Sequence, residues 1–275
     1  MSPSSFTSLE IANAPHSDRF FPMRKAEAML IPATEYVTWV DADGFFVGNC
    51  SDMLAPTRKD GIHVRVRGVH EFEEFFQEPG LSSPKDPSMG VPVEWARSWA
   101  RDVGVPESTQ PRINCGVSSC FLSVHRSQRL FLERWDRQIT SVFSGRRIRS
   151  FLKDGPYRLI DEPVLSSLLM YLSGAPTPTE FQLDKREDKM FYHIVGVPKP
   201  WVWWSPHTWR FHDKVMDIIR WARERGFIEP PLPLSLNPDR EWIHKPTLFF
   251  SYGIRAASKF KKNLLGSKIL VFLLR

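Results

Sequence analysis

Tyr36-Val-Thr-Trp-Val40-Asp41-Ala42-Asp43-Gly44 joins five β-branched or aromatic side chains to two carboxylates and a glycine. Five such residues in a row read as a short buried strand, and Asp-Ala-Asp-Gly ends it. Two carboxylates one residue apart at a strand end can both turn toward one hard cation; Mn²⁺ and Mg²⁺ take such oxygen ligands and keep positions open for phosphate oxygens. The same four residues are also good turn formers. Adjacent acids at the end of an apolar strand are costly to bury without a cation, which favours the metal reading.

Outward from this stretch, short strands alternate with helices. Arg24–Leu30 reads as a helix ended by Pro32. Phe45-Phe-Val47 is a second short run, and His63–Arg67 alternates at period two. Val93–Val103 carries Trp95 and Trp99 at helical spacing, and Cys120–Val124 reads as a strand. Ser127–Phe143 places Leu130, Phe131, Trp135 and Ile139 at three- and four-residue steps. Asp161–Leu172 is helical with Pro163 in its first turn. Phe191–Val195 is a strand, and Val215–Arg225 is a helix capped by Gly226. Gly80–Pro92 and Pro230–Pro238 read as loop and connector, and Phe249–Arg275 as a basic helix with apolar steps. The expected class is therefore α/β with a mixed sheet. Ligands in such sheets bind beyond the carboxyl ends of strands, where Asp41 and Asp43 fall.

The 275 residues are 42% hydrophobic and 25% charged, which excludes a disordered chain. The apolar run Ile269–Leu274 is far shorter than the ~20 residues that span a bilayer, and Met1–Phe21 lacks the basic start and apolar stretch of a secretory signal. Net charge is +6, but no acid follows Glu241, whereas Lys245, Arg255, Lys259, Lys261, Lys262, Lys268 and Arg275 do. The rest of the chain is close to neutral, which argues against a nucleic-acid-binding face and fits a tail that meets an acidic membrane surface or partner. Cys50, Cys115 and Cys120 cannot close a disulfide set, and their spacing is not that of a zinc knuckle; a reducing, cytoplasmic setting with peripheral membrane contact is expected.

Three further candidates share the chain with Asp41 and Asp43. In Phe191-Tyr-His193-Ile-Val-Gly196-Val-Pro-Lys199-Pro-Trp201, a histidine ends an apolar run, a glycine permits close backbone approach, and a lysine supplies counter-charge; together they suit a diphosphate–metal corner. Asn114-Cys-Gly116 offers a small turn with an amide that can hold sugar hydroxyls. Asp161-Glu162 opens a helix, where carboxylates either compensate the dipole or point into a sugar pocket. Trp201, Trp203, Trp204 and Trp209 read as core more readily than as a carbohydrate platform, and His207 with His212 forms no metal signature.

Taken in order, these pieces resemble a retaining glycosyltransferase of the GT-A fold, with glycosyltransferase family 8 the nearest pattern. The resemblance rests on Lys25 and its helix, the strand to Asp41-Ala-Asp43, Asn114-Cys-Gly116 with Phe131-Leu-x-x-Trp135, Asp161-Glu162 with Leu165, and His193-x-x-Gly196-x-x-Lys199-Pro-Trp201. Family 34 galactosyl- and xylosyltransferases share a similar order, and Glu162, where family 8 usually has Gln, brings the chain nearer to them. The resemblance implies that Asp41, Asp43 and His193 bind Mn²⁺ (or Mg²⁺), that Gly196 and Lys199 contact the diphosphate, and that Arg24 or Lys25 reaches the donor. It implies a sugar pocket lined by Asn114 and Gly116, with Asp161 and Glu162 orienting donor sugar or acceptor. The implied activity is Mn²⁺-dependent transfer from a nucleotide sugar, a UDP-sugar above all, to a glycan or lipid-linked acceptor. The implied organisation is a GT-A-like domain over residues 1–248 and a basic amphipathic tail over 249–275. Only 40 residues precede Asp41, where the family places a first strand and helix with the uridine-binding residues, so an N-terminally short version of the fold is expected. That shortness leaves a non-catalytic remnant, binding carbohydrate or acting as a scaffold, as the alternative. A hydrolase of nucleotide diphosphates ranks below both, because no second acid cluster stands ready to activate water.

Overall fold

The computed structural model describes residues 21–41, 43–46, 54–55, 58–67, 92–113, 116–144, 155–157, 161–180, 191–194, 199–228, 231–246 and 248–249. By its internal contacts the chain divides into two units, Met1–Tyr192 and His193–Arg275. Residues 80–91, Asn114, Cys115, Gly196 and residues 250–275, which carry several of the expected features, lie outside the described residues.

The first unit is mixed α/β. Its main sheet has four strands: β1 (Tyr36–Val40), β3 (Gly61–Arg67), β4 (Gly116–His125) and β5 (Thr177–Glu180), in the order β1-β4-β3-β5. β4 pairs antiparallel with β1, Tyr36 opposite His125 and Val40 opposite Phe121. It pairs antiparallel with β3 on its other side, the register shifting between Val64 and Arg65. β5 is parallel to β3, so the sheet is mixed.

All ten residues of β4 are buried, as befits a strand flanked on both edges and covered on its faces. Helices α1 (Lys25–Leu30), α2 (Val93–Val103), α3 (Arg129–Phe143) and α4 (Asp161–Tyr171) supply the main core. Trp95 and Trp99 of α2, Phe131, Trp135 and Ile139 of α3, and Val164, Leu165 and Leu168 of α4 are all buried in it. Full burial of side chains of this size contributes roughly 1.5–3 kcal/mol each by removing apolar surface from water. α4 is buried almost all round, its Asp161, Ser166 and Ser167 included, as a helix enclosed by other elements is.

Two strands differ from expectation. β5 is absent from the sequence reading because Thr-Pro-Thr-Glu is short and contains Pro178; a sheet-edge strand tolerates the missing donor. β4 runs unbroken from Gly116, where only Cys120–Val124 was expected, because Ser118 and Ser119 interrupt the apolar pattern. Those serines can be buried because carboxylates accept their hydroxyl protons.

A second, two-stranded ladder joins β2 (Gly44–Phe46) to β6 (Phe191–His193). Beside it Cys120, Phe121 and Phe191 form a small separate apolar cluster with Phe46 and Val40 against it. The Phe46, Phe121 and Phe191 rings stand 5.1–6.0 Å apart in tilted and edge-on pairs.

The second unit is built on α5 (Pro206–Trp209) and α6 (His212–Glu224). Ser205 and Thr208 cap α5 reciprocally, and Trp204, Met216 and Ile219 form the buried core. α6 ends at Gly226, whose φ of 70° lets the chain reverse. No helix among the described residues is long and apolar enough to cross a membrane.

Candidate functional site

β1 delivers Asp41 to the sheet end with its backbone still in the ladder: the Asp41 N–H donates to the Cys120 carbonyl at 2.9 Å. The chain then turns, the Gly44 N–H donating to the Asp41 carbonyl at 2.8 Å. The turn reading does not exclude the metal reading of Asp-Ala-Asp-Gly, since the same turn brings Asp41 and Asp43 together. Gly44 is required by close approach. A Cβ there would lie 2.5 and 2.7 Å from Phe191 ring carbons and 3.2 Å from the Asp41 carbonyl oxygen. The missing side chain lets β6 close on β2.

The contact boundary between the units falls inside β6, so His193 is the last residue of a strand that pairs with β2. Asp41, Asp43 and His193 each offer one ligand atom, and these atoms all lie within 4.8 Å of one another. This is the one such His/Cys/Asp/Glu group among the described residues. The donor set of two carboxylates and one imidazole fits Mn²⁺ well, and Mg²⁺ less well because of its preference for oxygen.

Behind Asp41 lies a buried charge network. The Lys25 ammonium sits 2.9 Å from Asp41 Oδ1 and 2.9 Å from Asp161 Oδ2. It also donates to Ser119 Oγ at 2.9 Å. Ser119 Oγ in turn donates to Asp161 in a very short hydrogen bond. The Trp39 indole N–H donates to the same Asp41 Oδ1 at 2.7 Å. Two donors on one oxygen fix the plane of the Asp41 carboxylate. Glu162 Oε1 accepts from Ser118 Oγ at 2.5 Å and from the Ser119 N–H at 3.2 Å, which pins it at the start of α4.

The electrostatics follow from burial. Desolvation alone would lower the Lys25 pKa, but Asp161 and Asp41 together outweigh it and hold the ammonium above its usual range. Burial raises the Asp161 carboxyl; Lys25 pulls against this and the neighbouring Glu162 adds to it.

Several expected residues are therefore placed differently from their implied roles. Lys25 faces inward, buried between two acids, where contact with a donor was expected. Asp161 is likewise buried, and it reaches Asp41 through Lys25. Arg24 is buried with its Nε 3.3 Å from Glu27. Gly116 opens β4 in the interior. Lys199 donates from Nζ to the Ile194 carbonyl at 2.7 Å, which ties it to the residue after His193. Ser118, Ser119 and Trp39 were missed by the sequence reading. Their only signal was polar atoms inside strands otherwise apolar.

No protein-family model, curated protein or solved structure matches this chain.

Proposed function

We propose that this chain is a divalent-metal-dependent glycosyltransferase of GT-A type. It moves a sugar from a nucleotide sugar, a UDP-sugar first among them, to a glycan or lipid-linked acceptor with retention at the anomeric carbon. The observation that carries the reading is the convergence of Asp41, Asp43 and His193 at the end of a buried strand. Asp41, Asp43 and His193 would hold a Mn²⁺, which would supply Lewis-acid stabilisation of negative charge on a diphosphate.

The chain's own residues do the rest. Trp39 and Lys25 hold Asp41 in one orientation, so little rearrangement is needed when the donor arrives. Lys199 brings a cation to the segment after His193, suited to the charge that grows on a leaving diphosphate. Glu162, fixed by Ser118 and Ser119, presents a carboxylate able to accept from sugar hydroxyls. Asp161 acts as a positioning residue through Lys25.

Titration of the intrinsic tryptophan fluorescence with UDP, with and without Mn²⁺, tests the reading on the wild type and on Asp43→Ala. The expected result is Mn²⁺-dependent binding that falls about a hundredfold or more in the variant, since losing even a partner that only orients a metal ligand costs about 10–100-fold. Binding indifferent to Mn²⁺, or unchanged in Asp43→Ala, overturns it. Mn²⁺-dependent binding without turnover of any UDP-sugar would instead mark a non-catalytic remnant.

A further inference from the structure

The two oxygens of the Asp41 carboxylate are not equivalent. The Lys25 ammonium at 2.9 Å and the Trp39 indole N–H at 2.7 Å both meet Oδ1. A carboxylate oxygen carries two lone pairs, and these two donors occupy both. A divalent ion on Oδ1 would also stand close to an ammonium held on that same oxygen. Asp41 therefore has at most one oxygen to give to a metal.

The local fold keeps it so. Trp39 lies two residues before Asp41 in extended chain, so both side chains leave on one face and the indole N–H reaches the carboxylate. The Trp39 ring packs against the main core, which fixes the direction of its N–H. Lys25 is buried, its ammonium 5.8 Å from the centre of the Trp39 ring and 2.9 Å from Asp161. A buried ammonium stays with its acids, because leaving them strands a charge out of water.

We infer that Trp39 is a positioning residue that sets which divalent ion the site takes, by holding Asp41 to a single metal-facing oxygen. This rests on the metal reading of Asp41, Asp43 and His193. Ca²⁺ gathers about six to eight oxygens and uses carboxylates in bidentate fashion. One oxygen from Asp41, at most two from Asp43 and a nitrogen from His193 fall well short of that set. Mn²⁺ is satisfied by fewer ligands in an octahedral arrangement, so the restriction selects for it and against Ca²⁺.

The experiment is titration of wild type, Trp39→Phe and Asp43→Ala with Mn²⁺, the free ion followed by electron paramagnetic resonance, and then with Ca²⁺ as competitor. Phenylalanine keeps an aromatic ring beside Lys25 and removes only the N–H donor; the urea unfolding midpoint checks that each variant is folded. Wild type should hold Mn²⁺ more tightly than Ca²⁺. In Trp39→Phe the Mn²⁺ affinity should fall about tenfold to a hundredfold, the usual cost of losing a partner that orients a metal ligand. Ca²⁺ affinity should fall less, because the released carboxylate can turn to offer both oxygens, so the preference for Mn²⁺ narrows. An unchanged Mn²⁺ affinity in Trp39→Phe overturns the inference. Equal falls for the two ions also overturn it, since a merely structural defect weakens both alike. The wild-type preference needs no variant: Ca²⁺ bound as tightly as Mn²⁺ overturns the inference even where Trp39→Phe does not fold. A wild type that binds no Mn²⁺, or Mn²⁺ binding untouched by Asp43→Ala, overturns the metal reading itself and this inference with it.

Discussion

Lys25→Met isolates the buried charge network from the proposed metal ligands Asp41, Asp43 and His193. Methionine keeps the length of the lysine stem and removes only the ammonium, which stands 2.9 Å from each of two carboxylates. At an effective dielectric near 20, each attraction is worth about 4 kcal/mol at 4 Å, set against a desolvation cost of several kcal/mol per ion. The network as a whole is therefore close to balanced, but removing its cation is not: Asp161 is left buried without its counter-ion, at a cost of about 3–5 kcal/mol. The lower part of that range applies where Asp161 takes up a proton. The assay is urea unfolding of the wild type, Lys25→Met, Asp161→Asn and the double variant. The double variant should lose less than the sum of the two singles, by at least about 1 kcal/mol, because asparagine removes the stranded anion. The pH dependence supplies a second readout. Because the folded Asp161 pKa is raised, its contribution to stability is full below about pH 4 and is lost as the pH rises through the folded value. Wild type should accordingly gain on Asp161→Asn as the pH falls from about 7 to about 4. A Lys25→Met loss below about 1 kcal/mol, or additive losses in the double variant, refutes the reasoning.

Two other perturbations probe the remaining local devices. Gly44→Ala drives a methyl group into the Phe191 ring and toward the Asp41 carbonyl, so it should cost about 1–3 kcal/mol in urea unfolding and weaken Mn²⁺ binding; an unchanged Mn²⁺ isotherm would show that β2 and β6 do not set the ligand spacing. In the second unit the His244 Nε2–H donates to the Leu234 carbonyl, so neutral His244 presents Nδ1 as acceptor to His212 at 2.9 Å. Burial lowers the His244 pKa, as does the nearby His212, so this unit should lose stability as the pH falls below about 6.5, followed by emission from buried Trp204, and His244→Gln should flatten the dependence.

What could be read in advance was whatever is local. Tyr36–Val40 announces a strand by composition, and the strand ends where Asp-Ala-Asp-Gly makes a turn, so Asp41 and Asp43 could be proposed as neighbours from one short stretch. The helices α2 and α3 were legible for the same reason, since their apolar steps repeat within a few turns. The partners of those residues were not legible. Lys25 and Ser119 meet across 94 residues of sequence, and Ser119 meets Asp161 across another 42. Nothing in the composition of a short helix says that its lysine will be drawn inside. The inward turn becomes necessary only once antiparallel pairing sets β1 against β4 and α4 starts beside Ser118 and Ser119. Two acids then face one enclosed space, and burying them calls for a cation from the chain itself. That cation is Lys25. One of the two residues, Arg24 or Lys25, that the resemblance offers to a donor is, in this fold, the counter-charge shared by the half-buried Asp41 and the buried Asp161.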